Sequence, residues 1–164
     1  MKERICKTCG CSSEATAFYA RGLTCKQCVS TKNNNRYHAL PDEQKRKYRN
    51  NVAKWQEDNI FQYRALSAKA RAAKANMVYE IDGAFLEGLF TTQNGRCFYT
   101  GLEMTRTRDG KFSISVDRTD NNKGYIPSNV VLCCWFVNAM KSEFCMDEFV
   151  NTAILIADKH RLNS

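Results

Sequence analysis

Between Phe112 and Lys141 the chain changes its periodicity twice, and few backbones accommodate that order. Phe112, Ile114 and Val116 alternate with Ser113, Ser115 and Asp117, a period of two that puts three apolar side chains on one face of a strand. Asp117 ends its polar face. Residues 119–125 follow with Asn121, Asn122 and Gly124, turn formers that tolerate positive φ, so they read as a loop. Residues 130–134 are a short β-prone run, and residues 135–141, free of Gly and Pro, read as a helix. Strand, loop, strand and helix make a ββα unit that brings Asp117 and Asn138 toward one point.

Several spaced elements in that order carry a family likeness. They are Ser115-Val116-Asp117-Arg118-Thr119-Asp120, Lys123-Gly124-Tyr125, Asn129-Val130-Val131 and Val137-Asn138-Ala139-Met140-Lys141, preceded by Asn94-Gly95-Arg96-Cys97-Phe98-Tyr99-Thr100-Gly101. Together they resemble the HNH endonucleases (His-Me finger, ββα-metal), of the kind common in bacteriophages and mobile elements. The likeness spans roughly residues 80–160, about half the chain.

The resemblance implies a metal-dependent DNA endonuclease that leaves 5′-phosphate and 3′-hydroxyl ends. A hard divalent cation, Mg²⁺ or Mn²⁺, prefers oxygen ligands and is held by one or two protein groups plus substrate phosphate. Asp117 and Asn138 are the implied ligands, and Asn129 is the mid-motif residue that shapes the loop. In the resembling enzymes a His directly after the metal-binding Asp is the general base, and this chain has Arg118 there. A guanidinium offers donors only and stays protonated, so it cannot be that base. Three substitutes stay open. Asp117 takes the place of the His and leaves Asn138 as ligand; or Asp117 and Asn138 hold the metal while Asp120 or a hydroxide on the metal supplies the base; or Tyr125 does so. In each, Asp117 belongs to the site and Arg118 clamps a phosphate.

Charge points to the same partner. The formal net charge is +8, which suits a polyanion. Residues 1–35 carry six Lys/Arg against two acids, residues 36–74 ten against four, and residues 75–164 nine against eleven. General phosphate affinity must therefore come mostly from the first half of the chain. DNA is the expected partner and a membrane is not.

Cys6-x2-Cys9 and Cys25-x2-Cys28 are two knuckles at the spacing that wraps one tetrahedral Zn²⁺. Residues 1–35 hold few large apolar groups, so metal binding should supply most of their folding free energy. Met1-Lys2-Glu3-Arg4 leads straight into the first knuckle with no secretory signal, which favours zinc over disulfides and a reducing cytoplasm, the host's if phage-encoded. His38 falls in the linker that follows, and neither it nor His160 sits in the motif.

Residues 36–77 read as a basic helical segment that starts at Pro41-Asp42-Glu43, with Glu57-Asp58-Asn59 as a place where it could break in two. Tyr-Arg-x-x-x-Ala-Lys recurs at Tyr48 and Tyr63, roughly 22 Å apart along a helix. Arg49, Lys54, Arg64, Lys69, Arg71 and Lys74 are the candidate nucleic-acid contacts, against the plainer reading of a solvated basic face. Residues 78–164 form the third segment: Asp82 as N-cap, a helix ended by Asn94-Gly95, Cys97, Cys133 and Cys134 as small core residues, and a last helix from about 147 to 160 that covers the sheet.

The expected architecture is α+β: a four-Cys zinc unit (1–35), a basic helical segment (36–77) and an HNH-like domain (78–164). One ββα unit holds one active site, so a monomer should nick one strand, and cutting both takes a homodimer or two events. The second reading is an inactive zinc-dependent nucleic-acid-binding or protein-interaction module derived from such a nuclease.

Overall fold

The computed structural model describes residues 4–13, 17–19 and 22–161, so Met1, Lys2 and Glu3 lie outside the described set. The chain divides into two compact units, Met1–Asn51 and Val52–Ser164. It is an α+β protein of six helices and two small antiparallel sheets among the described residues.

In the first unit β1 (Arg4–Ile5) pairs antiparallel with β2 (Ser12–Ser13). Cys6, Phe18 and Cys25 form a cluster far too small to hold the unit by apolar burial alone. The second knuckle doubles as a helix start: Cys25 is the N-cap of α1 (Lys26–His38), its Sγ accepting from the Cys28 N–H at 3.5 Å. The sequence reading assigned residues up to 35 to the zinc unit and expected no helix there, and Asn33, Asn34 and Asn35 are poor helix formers. Then α2 (Asp42–Asp58) opens behind Pro41 with Asp42 and Glu43 in its first turn, as expected. Neither α1 nor α2 buries a residue.

The helical segment does break where the Asn allowed it. Asn59 leaves the helical region (φ −123°, ψ 45°) and its Nδ2 donates to the Trp55 carbonyl at 3.0 Å. α3 (Ile60–Lys74) then buries Ile60, Phe61, Ala65, Ala68 and Ala72 in the main core. Half of the expected basic segment is thus a core helix with one apolar face, packed against α4 (Gly83–Thr92), where Gly83 leaves no room for a Cβ beside Gln62. Asp82 caps α4, its Oδ1 accepting the Phe85 N–H at 2.8 Å, and Asn94 (φ 52°) and Gly95 (φ 67°) end it.

β3 (Ile114–Arg118) pairs antiparallel with β4 (Val130–Cys134), with Val116 opposite Leu132 and Asp117 opposite Val131. Ile114 and Val116 are buried as the alternation requires, whereas Phe112 lies before the strand and is 39% exposed. The other face is not a wet face: Ser113 and Asp117 are buried too, because α5 (Trp135–Lys141) turns back across it while α3 and α4 pack elsewhere on the sheet. Cys97, Cys133 and Cys134 sit in the core beside Leu86 and Leu132.

α6 (Met146–Arg161) corrects the expectation that the last helix covers the sheet. It starts with a reciprocal cap, Cys145 N–H donating to Glu148 Oε2 at 3.0 Å and Glu148 N–H to Cys145 Sγ at 3.5 Å. Phe149 packs edge-on against Tyr99 at 5.8 Å, but no residue of α6 is buried, and Leu155 is 70% exposed.

Candidate active site

Asp117 is a buried carboxylate in the second unit. Its strand position points it at the α5 face, where its Oδ2 accepts the Tyr99 hydroxyl at 2.5 Å. Lys141, at the last residue of α5, brings its Nζ to 3.3 Å from Oδ2 and 3.4 Å from Oδ1, and donates to the Arg118 carbonyl at 3.1 Å. The Lys141 side chain is fully buried. Burial, then the hydrogen bond to Asp117, pushes the Tyr99 phenol well above its ordinary value, so Tyr99 is a proton donor to the carboxylate and not a base. Sequence reasoning missed both partners. Each lay within the quoted runs, but nothing local says that a Lys at a helix end turns inward.

Asn138 stands on the next face of α5. Its Nδ2 donates to Ser115 Oγ at 2.7 Å and to the Val116 carbonyl at 3.4 Å, which leaves the amide oxygen for a ligand. Ser115, Asp117 and Asn138 line a cleft of about 390 Å³ together with Arg64, Arg71, Arg118 and Tyr125. The expected convergence of Asp117 and Asn138 is therefore present. Asp117 has one oxygen, Oδ1, bonded only to Lys141, and a carboxylate has about four acceptor positions. One carboxylate and one amide oxygen fit a hard divalent cation that keeps its waters and takes the remaining ligands from a phosphate.

Arg118, next on the strand, lines the same cleft but is tied into the loop. Its Nη1 donates to the carbonyls of Asn121 and Lys123, both at 3.1 Å, and contacts Met77 Sδ, while its guanidinium lies 5.1 Å from the Tyr125 ring. Arg71 covers that ring at 5.6 Å and donates Nε–H to the Tyr125 hydroxyl at 3.0 Å. Tyr125 is thus buried under two guanidiniums at the cleft edge. Arg64 donates to the Arg108 carbonyl at 2.6 Å.

Asn129 builds the loop. Its Oδ1 accepts from Thr119 Oγ1 and the Asp120 N–H, and its Nδ2 donates to the Asp120 and Gly124 carbonyls, all within 2.9–3.0 Å. Four bonds from one buried amide fix the turn between the strands. Gly124 is needed there for closeness: a Cβ would run into the Val78 carbonyl. Asp120 is spent within the turn, Oδ1 accepting the Asn122 N–H at 2.9 Å and Oδ2 pairing with Lys123 at 3.2 Å, and it does not line the cleft. The Asn122 N–H, then Lys123, hold its carboxyl below the usual range.

Of the other basic candidates, Arg49, Lys54, Lys69 and Lys74 are exposed, Arg49 on the part of α2 in the first unit. Lys69 lies over the Tyr79 ring at 5.8 Å. In the first unit the sulfurs of Cys6, Cys9, Cys25 and Cys28 all fall within 4.8 Å of one another, a set able to hold a metal ion such as zinc. The Cys25 N–H, at 3.2 Å, leads the backbone donors that pull the Cys6 thiol down to about 6. Cys11 Sγ instead contacts the Cys9 carbonyl and stays outside the cluster.

The fold and site define an α+β protein with a four-cysteine cluster and a cationic cleft around one buried carboxylate. No protein-family model matches the chain. It is 30% identical over 96 residues to the uncharacterized protein R423 of Acanthamoeba polyphaga mimivirus, which covers 58% of this chain and 17% of that one. Among solved structures it is similar to the rare-cutting HNH restriction endonuclease PacI, at 21% identity and a TM-score of 0.43 over 95% of this chain and 94% of the other. Among the described residues no helix is long and apolar enough to cross a membrane.

Proposed function

We propose that the protein is a metal-dependent endonuclease of the HNH type that hydrolyses phosphodiester bonds in DNA, with its active site in the cleft of Val52–Ser164. The observation that carries the reading is the meeting of Asp117 and Asn138 at one cleft rimmed by Arg64, Arg71 and Arg118. Oxygen ligands beside guanidiniums suit a phosphate ester and its counter-cation.

Asp117 and Asn138 would hold Mg²⁺ or Mn²⁺, which supplies charge stabilisation at the phosphoryl group and the leaving oxygen. Lys141 and Tyr99 keep the Asp117 carboxylate in one orientation, so that Oδ1 is presented to the cleft. Ser115 does the same for the Asn138 amide. Asn129 sets the loop and Arg118 braces it, leaving the rest of its guanidinium for a phosphate. Asp117 is the one carboxylate lining the cleft, which makes it indispensable whether it holds the cation or takes the proton of the attacking water. Asp120 is too occupied by Asn122 and Lys123 to serve. Zn²⁺ on Cys6, Cys9, Cys25 and Cys28 would be structural, and Arg49, Lys54, Lys69 and Lys74 would add backbone contacts to DNA. A phage or mobile-element origin and action in the host cytoplasm belong to the same reading.

Nicking of supercoiled plasmid is the test. Parent protein with Mg²⁺ or Mn²⁺ should convert it to open circles, and neither EDTA-treated protein nor Asp117→Ala should. Absence of nicking with every metal, alongside intact DNA binding, would favour the inactive binding module, for which the replacement of His by Arg118 speaks.

A further inference from the structure

The geometry points to the α3 side of the cleft as a phosphate seat in its own right: Arg64 and Arg71, facing Arg118, hold a phosphodiester group of the nucleic acid by its non-bridging oxygens without a metal ion. This deepens the nuclease reading and rests on it for the identity of the ligand.

Arg64 and Arg71 are seven residues apart on α3, so they share one helix face about 10 Å apart in rise. With Arg118 they bring three guanidiniums to a cleft whose only carboxylate is already paired with buried Lys141. The cleft lining therefore carries an excess of positive charge, which favours an anion there.

Arg64 marks the spot. Among the described residues its Nε is the one buried side-chain nitrogen or oxygen without a hydrogen-bond partner, a donor already stripped of water. Burial pulls its guanidinium below the ordinary value, against the opposing pull of Tyr63 and Asp109. Nη2 is engaged by the Arg108 carbonyl, which fixes the plane of the fork, and Nε is left without a protein partner. On the neighbouring residue Arg71, Nε and Nη2 are held by Tyr125 and Val116, so the same preorganisation applies. Planar forks held by their other nitrogens match the tetrahedral oxygens of a phosphate.

The experiment uses the full zinc-loaded chain in the absence of other divalent cations, without chelator. Arginine Nε–Hε resonances are followed by ¹⁵N–¹H correlation spectra during titration first with inorganic phosphate and then with a short DNA duplex. The Arg64 resonance, assigned by its loss in Arg64→Lys, should move with both probes. Arg64→Lys should melt like the parent and bind duplex about tenfold more weakly, with the slope of log affinity against log salt nearly unchanged because the charge is kept while the fork is lost. An unmoved Arg64 resonance at saturating phosphate, or duplex binding by Arg64→Lys equal to the parent, overturns the seat even if plasmid nicking is observed. Shifts and weakened binding without any nicking would uphold the seat while the hydrolytic reading fails.

Discussion

Lys141 offers the sharpest perturbation in the second unit. Its side chain is 0% exposed and that of Asp117 is 7% exposed, with Nζ 3.3 Å from Oδ2. At that separation an effective dielectric of 20 gives an attraction of about 5 kcal/mol, offset by the desolvation of both ions. The pair as a whole need not stabilise the fold. Breaking it does matter, because Lys141→Met leaves a buried carboxylate with only the Tyr99 hydroxyl, and removing one partner of such a pair costs about 3–5 kcal/mol. Native domains have roughly 5–15 kcal/mol to lose. Urea denaturation followed by circular dichroism should register that loss for Lys141→Met. The double variant Asp117→Asn/Lys141→Met removes both charges, keeps an acceptor for Tyr99, and should recover about half or more, a coupling of at least about 2 kcal/mol. A cost for Lys141→Met under about 1 kcal/mol, or strictly additive effects in the cycle, would refute the buried ion pair as the anchor of Asp117.

Three further outcomes are expected. Asn129→Ala removes all four side-chain bonds that Asn129 makes to the 119–124 turn and should cost about 2–4 kcal/mol in the same assay, with backbone amide shifts confined to that loop. Exhaustive chelation should remove one zinc per chain, measured by atomic absorption, and collapse the amide signals of Met1–Asn51 while those of Val52–Ser164 persist. Asp120 has its carboxyl depressed in the folded state by the Asn122 N–H and Lys123, so its contribution is complete above about pH 4 and fades as pH falls through the folded value. Asp120→Asn should therefore flatten the acid limb of the stability profile below about pH 4 and leave its neutral part nearly parallel to the parent's.

The strand, loop, strand and helix between Phe112 and Lys141 were legible because periodicity and turn chemistry are local. So was the cap of α4, which Asp82 and Asn94-Gly95 bracket, and so were the two knuckles, whose spacing is itself the geometry of a thiolate cluster. What escaped were properties set by tertiary packing. Nothing in Met140-Lys141-Ser142 says that a lysine turns inward to meet Asp117, and nothing in Cys97-Phe98-Tyr99 says that a hydroxyl arrives on the same carboxylate. α1 was hidden because its helix is imposed by the Cys25 cap and not by the propensity of its asparagines. α3 passed for a basic surface helix because Arg64, Lys69, Arg71 and Lys74 outweigh, in composition, the alanines that bury its other face. The place of α6 was misjudged for the converse reason: an apolar run suggests a buried helix, but no residue of α6 is buried.

Under the proposed function, catalysis and binding separate at Asn138, which lines the cleft with its amide nitrogen held by Ser115. The decisive measurement is the single-turnover rate of plasmid nicking in Mg²⁺ or Mn²⁺ by Asn138→Ala, alongside its melting temperature and its duplex affinity without divalent metal. A phosphodiesterase centred on Asp117 and Asn138 requires near-parental melting and affinity with a rate reduced by about a hundredfold or more. An Asn138→Ala protein that nicks at the parental rate would contradict that centre outright.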